Sequence, residues 1–330
     1  MAGSRKSLST EAVSVADVVR RMLSARVRAN EWVDVAYSGG LDSTVLLHCA
    51  RKAAAEDGYR VRGVHIDHGL SPNAFVWAEH CRSQCVAWNI DLRVAAVQVS
   101  RNSTLGLEGA ARLARYEALE QSDANWILLA HHADDQAETV LQNLLRGSGV
   151  RGLAGMSPER GRFLRPLLSV SRSALTDYAI QQCLSWVEDE SNADTRLTRN
   201  HIRRDLLPKM LTRFPAARQQ LVATAERLAE ADELLAQLAK LDAGRPDLTF
   251  PLPLSQLRDL EPARAANLLR YTLFTYNLQA PSHRRTREFI RQVQTAGADK
   301  HPELRLGRWL LRCHGRQLHL IENLSGPDGE

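Results

Sequence analysis

The sequence lacks the features of a membrane or secreted protein. No run of 18 apolar residues occurs in its 330 positions, so no segment predicts a membrane-spanning helix. The first ten residues are polar and lack the apolar core of a signal peptide. Its five cysteines are odd in number and scattered, which is typical of reduced thiols and not of a disulfide framework. We therefore expect a soluble, cytoplasmic protein.

Metal-binding and P-loop signatures are missing as well. Cys81 and Cys85 lie four residues apart on a predicted helix, but no second Cys or His pair stands at zinc spacing. We interpret both as buried apolar side chains. The Gly-x-x-x-x-Gly-Lys-[Ser/Thr] loop does not occur either. Hydrophobic residues make up 44% of the chain, which is enough for two or three packed domains.

A short polar turn stands where a predicted strand meets a predicted helix. Apolar residues over 33–37 predict a strand, and from Thr44 their spacing becomes helical. The glycine loop between them is Ser38, Gly39, Gly40, Leu41, Asp42 and Ser43. Its glycines allow close approach to a ligand, and the first N–H groups of the helix with the two serine hydroxyls predict an anion site. A carboxylate there requires a cation, so Asp42 predicts Mg²⁺ bound to phosphate. The alternative is a turn that merely caps the helix.

Strands and helices alternate over the first half of the chain. The predicted strands cover 33–37, 61–66, 92–99 and 126–130, and helices are predicted between them. This alternation predicts an α/β fold with a doubly wound parallel sheet, covered by helices on both faces. Residues 38–43, 67–70 and 131–138 each follow a strand, and we expect them to meet at the carboxyl edge, where such sheets bind ligands.

The stretch after the fourth strand is rich in titratable side chains: His131, His132, Asp134, Asp135 and Glu138. Asp134 or Asp135 is predicted to cap the next helix. Asp135 and Glu138 share one face of its first turn, where they could hold Mg²⁺ or an amine, or accept a proton. The alternative is an ordinary N-cap with an acid that complements the helix dipole. Five such residues exceed what capping needs, so we favour a functional site.

Arginine supplies most of the positive charge and is unevenly distributed. Between positions 281 and 316, nine Arg or Lys residues stand against three acidic ones. Such a stretch favours a polyanionic partner such as nucleic acid, although a solvated basic surface is equally compatible. The glycine-rich residues 146–152 either wrap phosphate or form a flexible connection. The acidic run 188–194 and the basic run 199–204 could be surface ion pairs only.

Leucines at helical spacing predict one long helix over 216–241, and Pro-rich residues 246–253 predict a linker after it. We therefore expect an α/β domain over 1–215, a linker over 216–255 and a small mixed domain over 256–330.

Taken together, the motifs resemble one family of PP-loop ATP pyrophosphatases, tRNA(Ile)-lysidine synthetase. The glycine loop resembles the SGGxDS loop of the whole group. The resemblance to the family extends in the right order over residues 38–43, 65–70, 108–112, 115–116, 131–139, 146–155, 165–167, 186–192 and 199–203. Weaker similarity over 263–270, 281–282 and 309–320 suits the family's first C-terminal domain. Larger members carry a further C-terminal domain, for which we expect no counterpart here.

The resemblance implies an adenine-nucleotide α-hydrolase-like fold and an ATP-dependent ligase. In the family, ATP adenylates the C2 oxygen of the wobble-position cytidine in an isoleucine tRNA with a CAU anticodon, and pyrophosphate leaves. The ε-amine of free lysine then displaces AMP from C2, giving lysidine. Matching positions imply that residues 38–43 and Asp67 bind ATP, that Asp42 holds Mg²⁺, and that Arg112 and His132 stabilise charge on the α-phosphate. Asp135 and Glu138 match the residues that receive lysine.

The same reasoning leaves some alternatives open. Arg203, Arg204 and the 281–316 stretch are candidates for tRNA phosphate contacts, and a homodimer is possible. Another PP-loop RNA-modifying enzyme is the nearest rival. A tRNA cytidine thiolase would need Cys-x-x-Cys motifs for an iron–sulfur cluster, and the sequence has none. A non-catalytic tRNA-binding protein is a rival of another class, but intact Asp42, Asp135 and Glu138 argue against it.

Overall fold

The computed structural model describes residues 14–69, 71, 73–100, 103, 106–188, 198–297 and 300–323. Leu70 and most of the acidic run, from Asp189 onward, lie outside these ranges. The chain divides into two compact units between Ala229 and Glu230. No helix in the described ranges is both long and apolar enough to cross a membrane.

The first unit alternates strands and helices, as the sequence predicts. Its described elements up to the fourth strand are α1 (Val15–Arg26), β1 (Trp32–Ala36), α2 (Leu41–Asp57), β2 (Arg60–Asp67), α3 (Ala74–Ala87), β3 (Asp91–Ala96), α4 (Gly106–Glu120) and β4 (Trp126–Leu128). The next are α5 (Ala133–Leu145), α6 (Val150–Leu153), β5 (Glu159–Arg160), β6 (Phe163–Leu164), α7 (Arg172–Gln181), α8 (Thr198–His201), a π-helical turn (Ile202–Leu206) and α9 (Leu207–Arg213). Helix α10 (Ala217–Ala243) follows and contains the division between the two units.

Within the described residues, the first sheet has the strand order β3-β2-β1-β4-β6-β5. Neighbouring strands are parallel except for β5, which pairs antiparallel with β6. The chain therefore winds outward from β1 to β3, returns, and places β4 on the other side of β1. This confirms the predicted doubly wound parallel sheet and puts its topological switch point between β1 and β4.

Helices cover both faces of this sheet. On one face, α1, α2 and α7 bury Val19, Leu46 and Leu175 completely. On the other face, α4 packs Leu119 against Ile127 and Phe163. Helix α2 ends at Gly58, which adopts a φ of 76° and donates its N–H to the Ala54 carbonyl. The cysteines Cys81 and Cys85 are buried among apolar side chains, as expected.

The second unit is a smaller mixed fold. Its elements after α10 are β7 (Leu252–Pro253), α11 (Leu254–Asp259), α12 (Pro262–Thr275), α13 (His283–Thr295), β8 (Glu303–Leu306), β9 (Trp309–His314) and β10 (Gln317–Glu322). The strands form an antiparallel sheet in the order β7-β10-β9-β8. Its core also includes Ala239, Ala243 and Leu248, so residues assigned to a linker by sequence pack as part of this unit.

Candidate active site

The glycine loop joins β1 to α2 and is held by its own serines. The Ser38 and Ser43 hydroxyls lie 3.1 Å apart, and Ser43 Oγ accepts the Ser38 N–H at 3.2 Å. Ser43 Oγ also bonds to the Gly40 carbonyl at 3.0 Å. Gly40 is the N-cap of α2, so the first N–H groups of the helix have no acceptor within it. The loop has the geometry of an anion site at a helix N-terminus.

Gly39 is the position in this loop that requires glycine. Its φ is +82°, and a Cβ there would stand 3.0 Å from Cys81 Sγ and 3.2 Å from Val187 Cγ2. The Val187 N–H also donates to the Gly39 carbonyl at 3.0 Å. The shape of the glycine loop is therefore restricted by Val187 and the buried Cys81, which pack against Gly39.

His132 connects the glycine loop to the helix after β4. Its Nε2 lies 3.5 Å from an oxygen of Asp42 and 3.5 Å from an oxygen of Asp135. The ring is 1% exposed. Burial alone would lower the pKa of His132, but Asp42, Asp135 and Asp134 around it hold that pKa above its ordinary value. The His132 imidazole, which lies between two carboxylates that favour its protonated form, thus links the two halves of the site.

Asp135 and Glu138, the acid pair, are held by two arginines that stand one helical turn apart. Arg199 donates to Glu138 at 3.0 Å and to Asp135 at 2.9 Å. Arg203 donates to Glu138 at 2.6 Å and to Asp135 at 2.8 Å. Every oxygen of the acid pair accepts at least one hydrogen bond, since the remaining Asp135 oxygen accepts the His132 N–H at 3.1 Å.

This pairing decides the chemistry of Asp135. Burial would raise its pKa, but His132, Arg199, His131 and Arg203 lower it to about 2. A carboxylate with so low a pKa is a poor proton acceptor near neutral pH. Asp135 is therefore suited to bind a cation. Of the roles predicted from sequence, that of proton acceptor is not favoured.

A π-helical turn aims Arg203 at the acid pair. The turn spans Ile202–Leu206 between α8 and α9, and Pro208 follows within the first turn of α9. Proline has no N–H to bond to the carbonyl four residues earlier, so the regular helix is interrupted there. Such π turns recur at functional sites. Arg203 was expected to contact tRNA phosphate, but in the structure its guanidinium is engaged by Asp135 and Glu138.

Of the two predicted capping residues, Asp135 takes part in a capping box and Asp134 does not. The N-cap of α5 is His132, and Asp135 in the first turn accepts its backbone N–H. Asp134 is turned elsewhere: one oxygen accepts the N–H of Arg172 at the start of α7 at 2.9 Å, and the other pairs with Arg218 at 2.8 Å. Asp134 therefore ties α5 to two other helices.

The structure brings Asp42, His132, Asp135 and Glu138 together, whereas Asp67 and Arg112 make other contacts. Asp67 ends β2 and accepts the Gly69 N–H at 2.8 Å, so it holds its own loop. Arg112 is exposed on α4, with its guanidinium carbon 5.1 Å from the centre of the Tyr116 ring. Sequence reasoning missed the part that Arg199 and Arg203 play. The available signal was the spacing within each pair. Arginines four residues apart share one helix face, as do acids three residues apart, so the two pairs can meet.

The residues fit a magnesium ion shared with phosphate. Oδ1 of Asp42 is buried and has no hydrogen-bond partner in the described part of the chain. In the same ranges, no group of three or more His, Cys, Asp and Glu could hold a metal by itself. Mg²⁺ commonly takes one or two carboxylates and completes its shell with water and substrate phosphates, which suits a single carboxylate at an anion loop.

Replacing Gly39 tests the shape of the glycine loop. We expect Gly39→Ala to weaken ATP binding more than tenfold, because the added Cβ combines a strained φ with the contacts to Cys81 and Val187. Gly58→Ala is the matched control, since its φ is +76° but the nearest atom to a Cβ is 3.7 Å away. It should cost about 1 kcal/mol of stability and leave ATP affinity unchanged. Equal ATP affinities in the two variants would refute a role for the contacts below Gly39.

Substitution of two adjacent arginines tests how much Arg203 stabilises the acid pair. Arg203→Ala removes three hydrogen bonds from buried carboxylates and should lower the free energy of unfolding by about 2 kcal/mol. Arg204 is exposed, so Arg204→Ala should change it by less than about 0.5 kcal/mol. Urea denaturation measures both values. Equal losses in the free energy of unfolding of the two variants would refute a stabilising role for the contacts of Arg203.

Comparison with known proteins gives the same picture as the geometry. Residues 12–210 match the PP-loop domain family, and residues 252–319 match the TilS substrate binding domain. The tRNA(Ile)-lysidine synthase of Alkalilimnicola ehrlichii is 46% identical over 307 residues, which cover 90% of this chain and 69% of that protein. The synthase of Nitrosomonas europaea is 38% identical over 329 residues, which cover 98% of this chain and 72% of that protein.

Among solved structures, the U34-tRNA thiolase NcsA from Methanococcus maripaludis with its [4Fe-4S] cluster is similar with a TM-score of 0.56, over 66% of this chain and 78% of the thiolase. Sequence identity is 18%, so this likeness concerns the fold alone. The match to the PP-loop domain and the identity to two synthases extend over most of the sequence. This chain belongs to the tRNA(Ile)-lysidine synthase family.

Proposed function

We propose that this protein ligates free L-lysine to C2 of the wobble-position cytidine of an isoleucine tRNA, using ATP. The product, lysidine, changes codon reading from AUG to AUA. The observation that carries the proposal is the juxtaposition of an anion loop and a carboxylate pair at one switch point, bridged by His132. One side suits a nucleotide triphosphate and the other suits an amine, which are the two small substrates of this reaction.

In the first half-reaction, the C2 oxygen of cytidine attacks the α-phosphorus of ATP. The bond from that phosphorus to the bridging oxygen breaks, and pyrophosphate leaves. The N–H groups at the start of α2 and the Ser38 and Ser43 hydroxyls would hold the departing phosphates. A Mg²⁺ held by Asp42 would neutralise charge on the phosphate oxygens. His132, whose protonated form Asp42 favours, would oppose the charge that develops on the α-phosphate.

In the second half-reaction, the ε-amine of lysine attacks C2, the C2–O bond breaks, and AMP leaves as the amine loses a proton. Asp135 and Glu138 would bind the lysine as a cation before it is deprotonated. Because Arg199 and Arg203 already occupy their oxygens, at least one guanidinium must move away as lysine enters. While both guanidiniums are in place, the pKa of Asp135 is about 2, so Asp135 carries the negative charge that would attract the ammonium.

The tRNA requires basic surface on this chain. Helix α13 buries Phe289, Ile290 and Val293, while Arg284 and Arg287 lie exposed on its outer side. These arginines and the exposed Arg204 are candidates for phosphate contacts. The cytidine must leave the stack of the anticodon loop to be adenylated, and single-stranded loops are where proteins usually read RNA sequence.

We place the protein in the cytoplasm, with its tRNA substrate. A homodimer stays a prediction from sequence, and light scattering of the purified chain would measure it.

The function is tested by supplying unmodified isoleucine tRNA, ATP and labelled lysine, followed by nucleoside analysis. We expect lysidine from the wild type and at least a hundredfold less from Asp42→Ala, since one effect of this kind is typically worth two or three orders of magnitude. Pyrophosphate release should fall equally, while tRNA affinity stays within about twofold. Wild-type protein that binds tRNA and ATP but forms no lysidine would overturn the proposal, and near-normal turnover by Asp42→Ala would exclude the Mg²⁺ role.

Glu138→Gln separates the two half-reactions. The amide keeps the shape of the side chain but loses the charge that attracts an ammonium. We expect lysine addition to slow by about tenfold or more, as for the loss of one charge-assisted contact, with adenylation less affected. Lysidine formation over a range of lysine concentrations, beside tRNA-dependent release of pyrophosphate, measures the two steps. Equal losses in both steps would refute a role confined to lysine.

A further inference from the structure

A second group of cationic side chains lies on the other face of the sheet from α2. It is built on α4 and on the residue that follows β6, and comprises Arg112, Arg115 and Arg165 around the ring of Tyr116. The Tyr116 ring packs at 5.5 Å from the Phe163 ring. His131, at the end of β4, borders the same group. We call these residues the arginine cluster.

Arg165 is buried and Arg115 is half-buried, and each has a buried donor without a hydrogen-bond partner within the part of the chain that the structure describes. Arg165 is 5% exposed; one Nη donates to the Ser157 carbonyl at 2.7 Å, but its Nε has no partner in the described residues. The Nε of Arg115 is also buried and unpartnered in those ranges. Burial, reinforced by Arg112 nearby, lowers the pKa of the Arg115 guanidinium. Each buried N–H group without an acceptor destabilises the folded protein.

Arginines with structural roles in the same unit look different. Arg162 donates to the carbonyl oxygens of Leu119, Glu120, Ser122 and Ala124. Arg62 makes a two-pronged contact with Asp34, at 2.8 and 3.1 Å. Among the side chains that the structure describes, no carboxylate forms an ion pair with Arg112, Arg115 or Arg165. Buried cations without an anion are strongly disfavoured, so these donors indicate a ligand.

The pKa values of neighbouring groups also reflect the positive charge of these arginines. Burial would raise the pKa of Tyr116, but Arg112, Arg165 and Arg115 together hold it below its usual value. Burial, with repulsion from Arg115, Arg165 and Arg112, lowers the pKa of His131 to about 3 despite Asp135 nearby. The His131 ring is therefore neutral, and its Nδ1 is a further buried atom without a partner in the described part of the chain.

We propose that Arg115 and Arg165 form a phosphate-binding pocket, separate from the glycine loop, that holds a phosphate group during lysidine formation. The inference rests on the proposed function. The planar guanidinium fork suits the tetrahedral oxygens of phosphate, and a low-dielectric setting strengthens each contact. The phosphate comes either from the tRNA backbone beside the cytidine or from the nucleotide, and two binding measurements distinguish these sources.

The test uses the full chain with Arg115→Met, which keeps the apolar stem, and Arg115→Lys, which keeps the charge. Arg21→Met is the matched control, because Arg21 is exposed on α1. Affinity for unmodified isoleucine tRNA is measured without ATP at several salt concentrations, and affinity for ATP is measured without tRNA. We expect Arg115→Met to weaken one of the two about tenfold, Arg115→Lys to recover part of the loss, and Arg21→Met to change neither.

The pattern identifies the source of the phosphate. A weaker tRNA complex whose salt dependence has a slope reduced by about 0.7 to 0.9 assigns the pocket to one backbone phosphate. A weaker ATP complex with unchanged tRNA binding assigns it to the nucleotide. Both affinities within twofold of wild type would overturn the proposal, whatever happens to lysidine yield. An equal loss in Arg21→Met would overturn it too, since general charge would then explain the effect.

Stability separates binding from a structural role. Because Arg115 carries an unsatisfied buried donor, ligand-free Arg115→Met should melt no lower than wild type. A clear fall in melting temperature with unchanged affinities would make Arg115 a structural residue and end the proposal. Should Arg115→Met fail to fold, Arg165→Lys gives the second test, with the same tenfold loss expected. Failure of the wild type to form lysidine would reject the proposed function alone, because the pocket is judged by binding.

Discussion

The pairing of β4 with β1 is the constraint on which the site depends. Val33 stands opposite Trp126 and Val35 opposite Leu128, so the two strands end at the same level of the sheet. The glycine loop leaves one strand and His131 and His132 leave the other. Had β4 paired with β3, two strands, about 10 Å of sheet, would separate these segments, and His132 could not stand 3.5 Å from both Asp42 and Asp135.

The electrostatics of the site follow from this closeness. Asp42, Asp135 and Glu138 bring three carboxylates to a small volume, and His132, Arg199 and Arg203 lie against them. Without these partners, the buried carboxylates would repel one another and lose their solvation. The two guanidiniums also reduce the attraction of the acid pair for an ammonium. In the proposed function, binding of lysine would therefore be coupled to movement of Arg199 or Arg203.

Features with local causes could be predicted from sequence. The end of α2 at Gly58 follows from one glycine in the left-handed region, and the helix after the glycine loop follows from apolar spacing. The strands β5 and β6 were not predicted, because two residues each carry no periodicity. The choice of His132 over Asp134 as the α5 cap was missed for another reason. Asp134 meets the N–H of Arg172 and the side chain of Arg218, and neither contact is visible from neighbours in sequence.

The partner of the acid pair was missed because it comes from far along the chain. Arg203 follows Glu138 by 65 positions, and at that distance a basic run looks the same whether it meets carboxylates, phosphate or water. The structure distinguishes these cases by the acceptors that each guanidinium contacts. Arg203 and Arg199 donate to carboxylates, and Arg162 donates to carbonyl oxygens. Arg115 and Arg165 keep donors that no described residue accepts. An RNA-modifying enzyme needs arginines that pair with its own acids and arginines whose donors are free for phosphate. The first kind cannot replace the second, because arginines that neutralise acids have few donors left for phosphate.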